Sequence, residues 1–275
     1  MKIDVQEINE MKQAVRFEYL RQAEKTLVKI KKSSDINSDC VNYPFDISIK
    51  SDAIKSKGFI DPEQDSIFVK VIANTANWID SQLDMIVPGA WSKSINEKKG
   101  FIPHLHDHLM TLTARVGDVK DIYESEVSLR TLGIEKEGTA NVLVFESDVK
   151  KGYNENVFNQ YKNGQVNQHS ISLRYIDLQL ALNDETDEKH YSNWQKYITM
   201  AINPQKAEEF GYFWIVKELK LIENSAVLFG ANELTGTLET RSQELQLQEA
   251  GNEPPQDITK PAKVTLSNYI NDFKL

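Results

Sequence analysis

Cysteine is almost missing from this 275-residue chain: Cys40 stands alone. One thiol cannot close an intrachain disulfide, so packing has to hold the fold, as in a reducing compartment. Cys40 sits in a polar run with no evident local support for a nucleophilic role. Long apolar runs are also missing. Nothing approaches the roughly 20 residues that span a bilayer. The N-terminus is polar and helix-like rather than a charged end followed by an apolar core, so no signal peptide is expected. An excess of basic residues is the third absence. Thirty-two Lys and Arg stand against 41 Asp and Glu, a net charge of −9, which disfavours a nucleic-acid partner. No repeat at solenoid periods is present. The hydrophobic fraction of 40% is enough for a core, and the length suits one large domain with appendages. These features predict a soluble, intracellular protein.

Ile8, Met11, Val15, Tyr19, Ala23, Leu27 and Ile30 recur at spacings of three and four. They predict one amphipathic helix over 1–33, either docked on the body or serving as an arm for an assembly partner. From about Tyr43 the pattern turns strand-like, with β-formers over 67–73, 126–129, 141–145 and 214–229. Short helices are expected at 90–95, at 154–163 before Gly164, and after Asn203-Pro204. The polar, acidic stretch 183–191 reads as a surface loop. A main domain over 43–238 is followed by a tail, 239–275, rich in Glu, Gln, Pro and Thr and expected to be loosely held. Its end regains apolar residues at helical spacing.

Two stretches carry chemistry. Read as a strand, Gln168 to Tyr175 puts Ile171, Leu173 and Tyr175 on one face and Ser170, Ser172 and Arg174 on the other. A serine needs an adjacent base, which is best held by a third group. His169 would point to the opposite face from Ser170. The stretch Ile102 to His108 holds His104, His106 and His108, which would share one strand face. Those three histidines also suit a divalent metal, although Asp107 would face away. Glu223 lies within an apolar strand and must be paired there to stay charged. Glu218, flanked by Lys217 and Lys220, reads as solvated, and Arg115 or Arg174 could support an oxyanion.

The order of these pieces resembles the prohead proteases of tailed bacteriophages, serine proteases related in fold to the herpesvirus assemblins. The matching residues are Asp84 to Ile95, Leu105-His106-Asp107 with Val116-Gly117, Ser170-Ile171-Ser172-Leu173, and Leu221 to Asn232, within Phe59 to Leu238. The resemblance implies a mainly β, α+β fold: a herpesvirus-protease-like β-barrel core with surrounding helices. It implies Ser170 as nucleophile, His106 as general base and Glu223 as orienting acid, with no cofactor. Where the family usually has Ser-Ile-Gly, this chain has Ser170-Ile171-Ser172. The implied activity is cleavage of major capsid protein and scaffold segments, and of the chain itself, inside the immature capsid in the bacterial cytoplasm. Self-association is an open partner, with no membrane and no direct nucleic-acid contact expected. The alternatives are a metal-dependent hydrolase built on His104, His106 and His108, or an inactive capsid-assembly relative.

Overall fold

Ten-residue and longer runs of β-branched and aromatic residues, too long for turns and too irregular in period for helices, form the main strands of a single sheet. The computed structural model describes residues 5–33, 36–37, 56–57 and 64–242. The strands are β1 (Ile36–Asn37), β2 (Ser56–Lys57), β3 (Ser66–Thr75), β4 (Asp84–Ile86), β5 (His104–His106), β6 (Arg115–Ser128), β7 (Thr139–Lys150), β8 (Gln168–Leu182), β9 (Tyr212–Val227) and β10 (Thr237–Ser242). The helices are α1 (Val5–Glu10), α2 (Gln13–Ser33), α3 (Ser92–Lys98), α4 (Glu155–Lys162), α5 (Glu188–Ile198) and α6 (Pro204–Phe210). The fold is therefore mixed helix and sheet, as expected in outline.

The sheet order is β1-β8-β9-β5-β6-β7-β3-β10-β2, with β4 added beside β9. The expected barrel is corrected by this order, because the sheet is not closed. β3 and β8 approach each other, and together they line one narrow cleft. They cannot join, because β3 already pairs with β7 and β10 while β8 pairs with β9 and β1. A closed ladder would need a free edge on each.

Local signals set several boundaries as expected. The Asn154 side chain caps α4 by accepting from Val157 N–H at 3.1 Å, and Pro204 opens α6. The expected loop at 183–191 is different: Asp187 accepts from His190 N–H and starts α5 within it. β10 carries ordered chain through Ser242, beyond the expected start of the tail at 239. The rest of that tail, 243–275, lies outside the described residues, as does Cys40. Among the described residues no helix is long and apolar enough to cross a membrane.

The N-terminal segment is two helices rather than one, broken at Met11 and Lys12. Its buried face also differs from the expected stripe. Phe17, Leu20 and Leu27 are buried, whereas Val15 and Tyr19 are exposed. The difference has a polar cause. Buried Arg16 donates to the carbonyls of Ile8, Asn9, Met11 and Phe210, and buried Lys31 donates to both Asp84 oxygens at 2.7 and 2.9 Å. Lys31 also lies over the rings of Tyr175 and Trp214, and the Tyr175 hydroxyl donates to Asp84. Two cations thus turn the helix face, by charge as well as by apolar contact.

Asp80 stands beside Asp84, and its Oδ1 accepts from the N–H groups of Gln82 and Asp84. Loss of hydration and then the Asp84 charge raise its carboxyl to about 7. The folded chain therefore holds this proton more tightly than the unfolded chain. That contribution is complete below the ordinary value of 3.8 and lost as pH rises through 7. Asp80→Asn needs no proton, so it is expected to raise the urea-unfolding free energy at pH 8 and to change it little at pH 4. Lys31→Met leaves Asp84 charged and unpaired, and is expected to lower the unfolding free energy by about 3–5 kcal/mol at neutral pH.

Candidate active site

Three neighbouring strands bring the candidate residues together, and their register decides which side each faces. Ser170 lies opposite Ser225 and Ser172 opposite Glu223 in the β8–β9 pair. Leu105 lies opposite Ser225 in the β5–β9 pair, with His104 opposite Asn224 and His106 opposite Ala226. Directly opposed residues share a face, and successive residues alternate. One face of the sheet therefore carries Ser170, Ser172, Glu223, Ser225 and Leu105. The other carries His169, Ile171, Asn224, His104 and His106.

His108 returns to the first face. β5 ends at His106, and Asp107 and His108 adopt left-handed backbone angles, φ 52° and 54°. This conformation is uncommon outside glycine and costs about 1–3 kcal/mol per residue. Hydrogen bonds hold it. Asp107 N–H donates to the Ala226 carbonyl at 2.9 Å, His108 N–H to Ser225 Oγ at 3.1 Å, and Leu109 N–H to the His106 carbonyl at 3.1 Å.

The result is a buried polar set. His108 Nδ1 lies 2.6 Å from Glu223 Oε1 and 3.1 Å from Ser172 Oγ. Ser225 Oγ donates to Glu223 Oε2 at 2.5 Å. Glu223 has no exposure, and His108 is 8% exposed. A ring nitrogen facing a carboxylate at this distance carries the hydrogen, and in the neutral ring the lone pair is then on Nε2. Among the described residues His108 Nε2 has no hydrogen-bond partner. This is the arrangement of an acid-oriented imidazole with its basic nitrogen free. Ser172 meets the protonated nitrogen and is not placed to give a proton to the other. Ser170, one pleat along the same strand face and 3% exposed, is the remaining serine of β8 on that side.

The expected pairing of His106 with Glu223 is thus corrected. His106 lies on the opposite face, with Nδ1 2.9 Å from Asp107 Oδ2 and Nε2 3.2 Å from Asn154 Nδ2. Glu223 does meet a histidine, but that histidine is His108. The three histidines were expected to share a face; His104 and His106 do, but His108 does not, because the strand ends at His106 and the backbone turns. Their rings consequently diverge, and among the described residues no three His, Cys, Asp or Glu side chains gather in a metal-binding cluster. Glu218 pairs with Lys93, and Arg115 pairs with Asp118 while stacking on Tyr153. A usable clue to the inner network was Glu223-Asn224-Ser225, three polar residues inside a long strand, each fully buried. Ser170 and Ser172 are likewise buried, whereas Arg174 is exposed.

The reverse face is braced separately. The Tyr161 hydroxyl, from α4, lies 3.0 Å from His104 Nε2 and 2.8 Å from His169 Nε2, while His104 Nδ1 meets Ser147 Oγ at 3.1 Å. One hydroxyl can donate to one imidazole and accept from the other, which requires the ring that accepts to be unprotonated at Nε2. Loss of hydration enforces this, lowering His104 to about 3 and pulling His169 well below the ordinary imidazole range. Gly230 closes the end of the site: a Cβ there would stand 2.7 Å from the His169 carbonyl oxygen.

In a histidine-resolved NMR titration, His104 and His169 are expected to show no protonation between pH 8 and 5. Because the unfolded imidazoles take up protons near pH 6.5, stability from this brace is complete above that pH and falls as pH drops toward 3.

No protein-family model, curated protein or solved structure matches this chain.

Proposed function

We propose that the chain is a serine endopeptidase of the prohead-protease kind, with Ser170 as nucleophile, His108 as general base and Glu223 as orienting acid. The observation that carries the reading is the Glu223–His108 pair, with Nε2 unpartnered on the sheet face that also holds Ser170. In this mechanism His108 Nε2 takes the Ser170 proton as Oγ attacks the scissile carbonyl. It then returns that proton to the leaving amine. Glu223 keeps Nδ1 protonated and stabilises the imidazolium, and Ser225 fixes the carboxylate. General-base assistance of this type contributes about 10²–10⁴-fold. His108 Nε2 does not hydrogen-bond Ser170 Oγ in this structure, and catalytic hydrogen bonds often form only when substrate binds.

The resemblance in motif order supports an assemblin-like relationship, in which the open, curled sheet stands in for the barrel. On that reading the substrates are major capsid protein and scaffold segments, together with the chain's own tail beyond β10. The cleavage takes place within an immature capsid in a bacterial cytoplasm.

One observation favours a second reading, an inert capsid-assembly relative. Ser170, Ser172, His108 and Glu223 are all buried, so the set also satisfies the needs of a purely structural polar cluster.

A fluorophosphonate probe separates these readings. Mass spectrometry is expected to place the label on Ser170, and labelling is expected to be lost in Ser170→Ala and to fall at least 10³-fold in His108→Ala. His106→Ala should change it less than tenfold. An unlabelled, folded protein would support the inert reading, and loss in His106→Ala with retention in His108→Ala would overturn the assignment of the base. Freshly purified chain is also expected to be lighter than its Ser170→Ala form, if the tail is removed by the chain itself.

A further inference from the structure

A groove of about 430 Å³ opens where β5 parts from β6, and it is walled mainly by apolar groups, among them Phe101, Pro103, Leu105, Met110 and Leu112. The parting follows from the ladder: β5 and β6 share only two residue pairs, with a register shift between His104 and Leu105. Gly117 lines the floor. A Cβ there would meet the Asp148 carbonyl oxygen at 2.4 Å, so β6 lies hard against β7 and leaves the β5 side open.

The groove shares Leu105 with the sheet face that carries the candidate active site, while Ser170 itself lines the separate cleft between β3 and β8. Leu105 is directly opposite Ser225, which is directly opposite Ser170. At about 4.8 Å per strand, the groove begins roughly 10 Å from the nucleophile, the span of two or three peptide residues. Met110 and Leu112 follow His108 by two and four residues. The exposed apolar residues concentrate here. Phe101 is 87% exposed, Met110 64% and Leu112 94%, and Leu109, Leu228 and Phe229, outside the groove wall, are exposed just past the C-terminal ends of β5 and β9. These are six of the eleven large exposed hydrophobic residues among those described. Exposed apolar surface concentrated at one rim marks a binding site.

We infer that this groove is a substrate subsite that takes a large aliphatic or aromatic side chain within two or three residues of the bond that is cut. This rests on the serine-endopeptidase reading. The occupant is an extended peptide segment, because Leu105 in the groove wall lies two strands from Ser170 on the same sheet face and that wall is mainly apolar, with the Arg115 charge already met by Asp118. Filling or emptying such a pocket changes kcat/KM by about 10–200-fold between substrates.

The test is digestion by the full chain of a proteome-derived peptide library, with the cut bonds read by mass spectrometry. Leu, Ile, Met and Phe are expected to be enriched at one position within three residues of the cut. In Phe101→Asp and Leu112→Asp that enrichment should fall at least fivefold, while Ile176→Asp, exposed on β8 outside the groove, should keep it. An absent preference overturns the subsite. So does a preference that survives both variants, or a loss of self-association in light scattering with cleavage preference unchanged. A library left uncut overturns it as well. Fluorophosphonate labelling of Ser170 then tells whether the active-site reading falls with it or stands alone.

Discussion

A carboxylate with no access to water sits at the middle of this molecule, and the surrounding polar geometry answers to it. Glu223 lies on β9, the strand that β8, β5 and β4 all pair with. Burying its charge alone would be prohibitive. Its two oxygens are met by the His108 ring at 2.6 Å and the Ser225 hydroxyl at 2.5 Å. The left-handed turn at Asp107 and His108 brings one of those partners to it. Charge-assisted hydrogen bonds of this kind are about twice as strong as neutral ones, enough to hold a backbone conformation that a strand would avoid.

The sheet separates two sets of histidines that lie close in sequence. His104 and His169, on one side, are neutral, linked through Tyr161 and shut away from water. His108, on the other, faces an acid and keeps one nitrogen unpartnered among the described residues. The first set ties α4 to β5 and β8 and stiffens the strands that carry Ser170 and the approach to His108. Precise placement of a nucleophile and a base requires such support from behind, because small displacements lower rates sharply. The N-terminal helix adds a second support. Lys31 is anchored on Asp84, and Asp84 belongs to β4, which pairs with β9.

Much of this was legible in the residues. Serine alternation in β8, the buried demand of Glu223, the cap of α4 and the proline start of α6 all depend on near neighbours. Local physics acts within a turn or two, so sequence patterns report it well. The errors occurred where distant groups intervened. The face of α2 was misread because Asp84 and the Phe210 carbonyl, far along the chain, draw Lys31 and Arg16 inward. The resemblance in motif order points to His106, and a continued strand would keep His108 on the same face; the hydrogen bonds that end the strand come from Ala226 and Ser225 on β9.

By itself the sequence determined which chemical groups are present and the alternation that sets Ser170 and Ser172 on one side of their strand, since a strand's two-residue period is a property of its backbone. It also determined that the acid at 223 would need a partner. Tertiary structure alone decided which imidazole that partner is, that the sheet stays open, and that the apolar rim lies beside the serine face. Those outcomes depend on strand order and register between distant segments, such as Ser170 with Ser225 and Leu105 with Ser225, and one residue of slip would have exchanged the two faces.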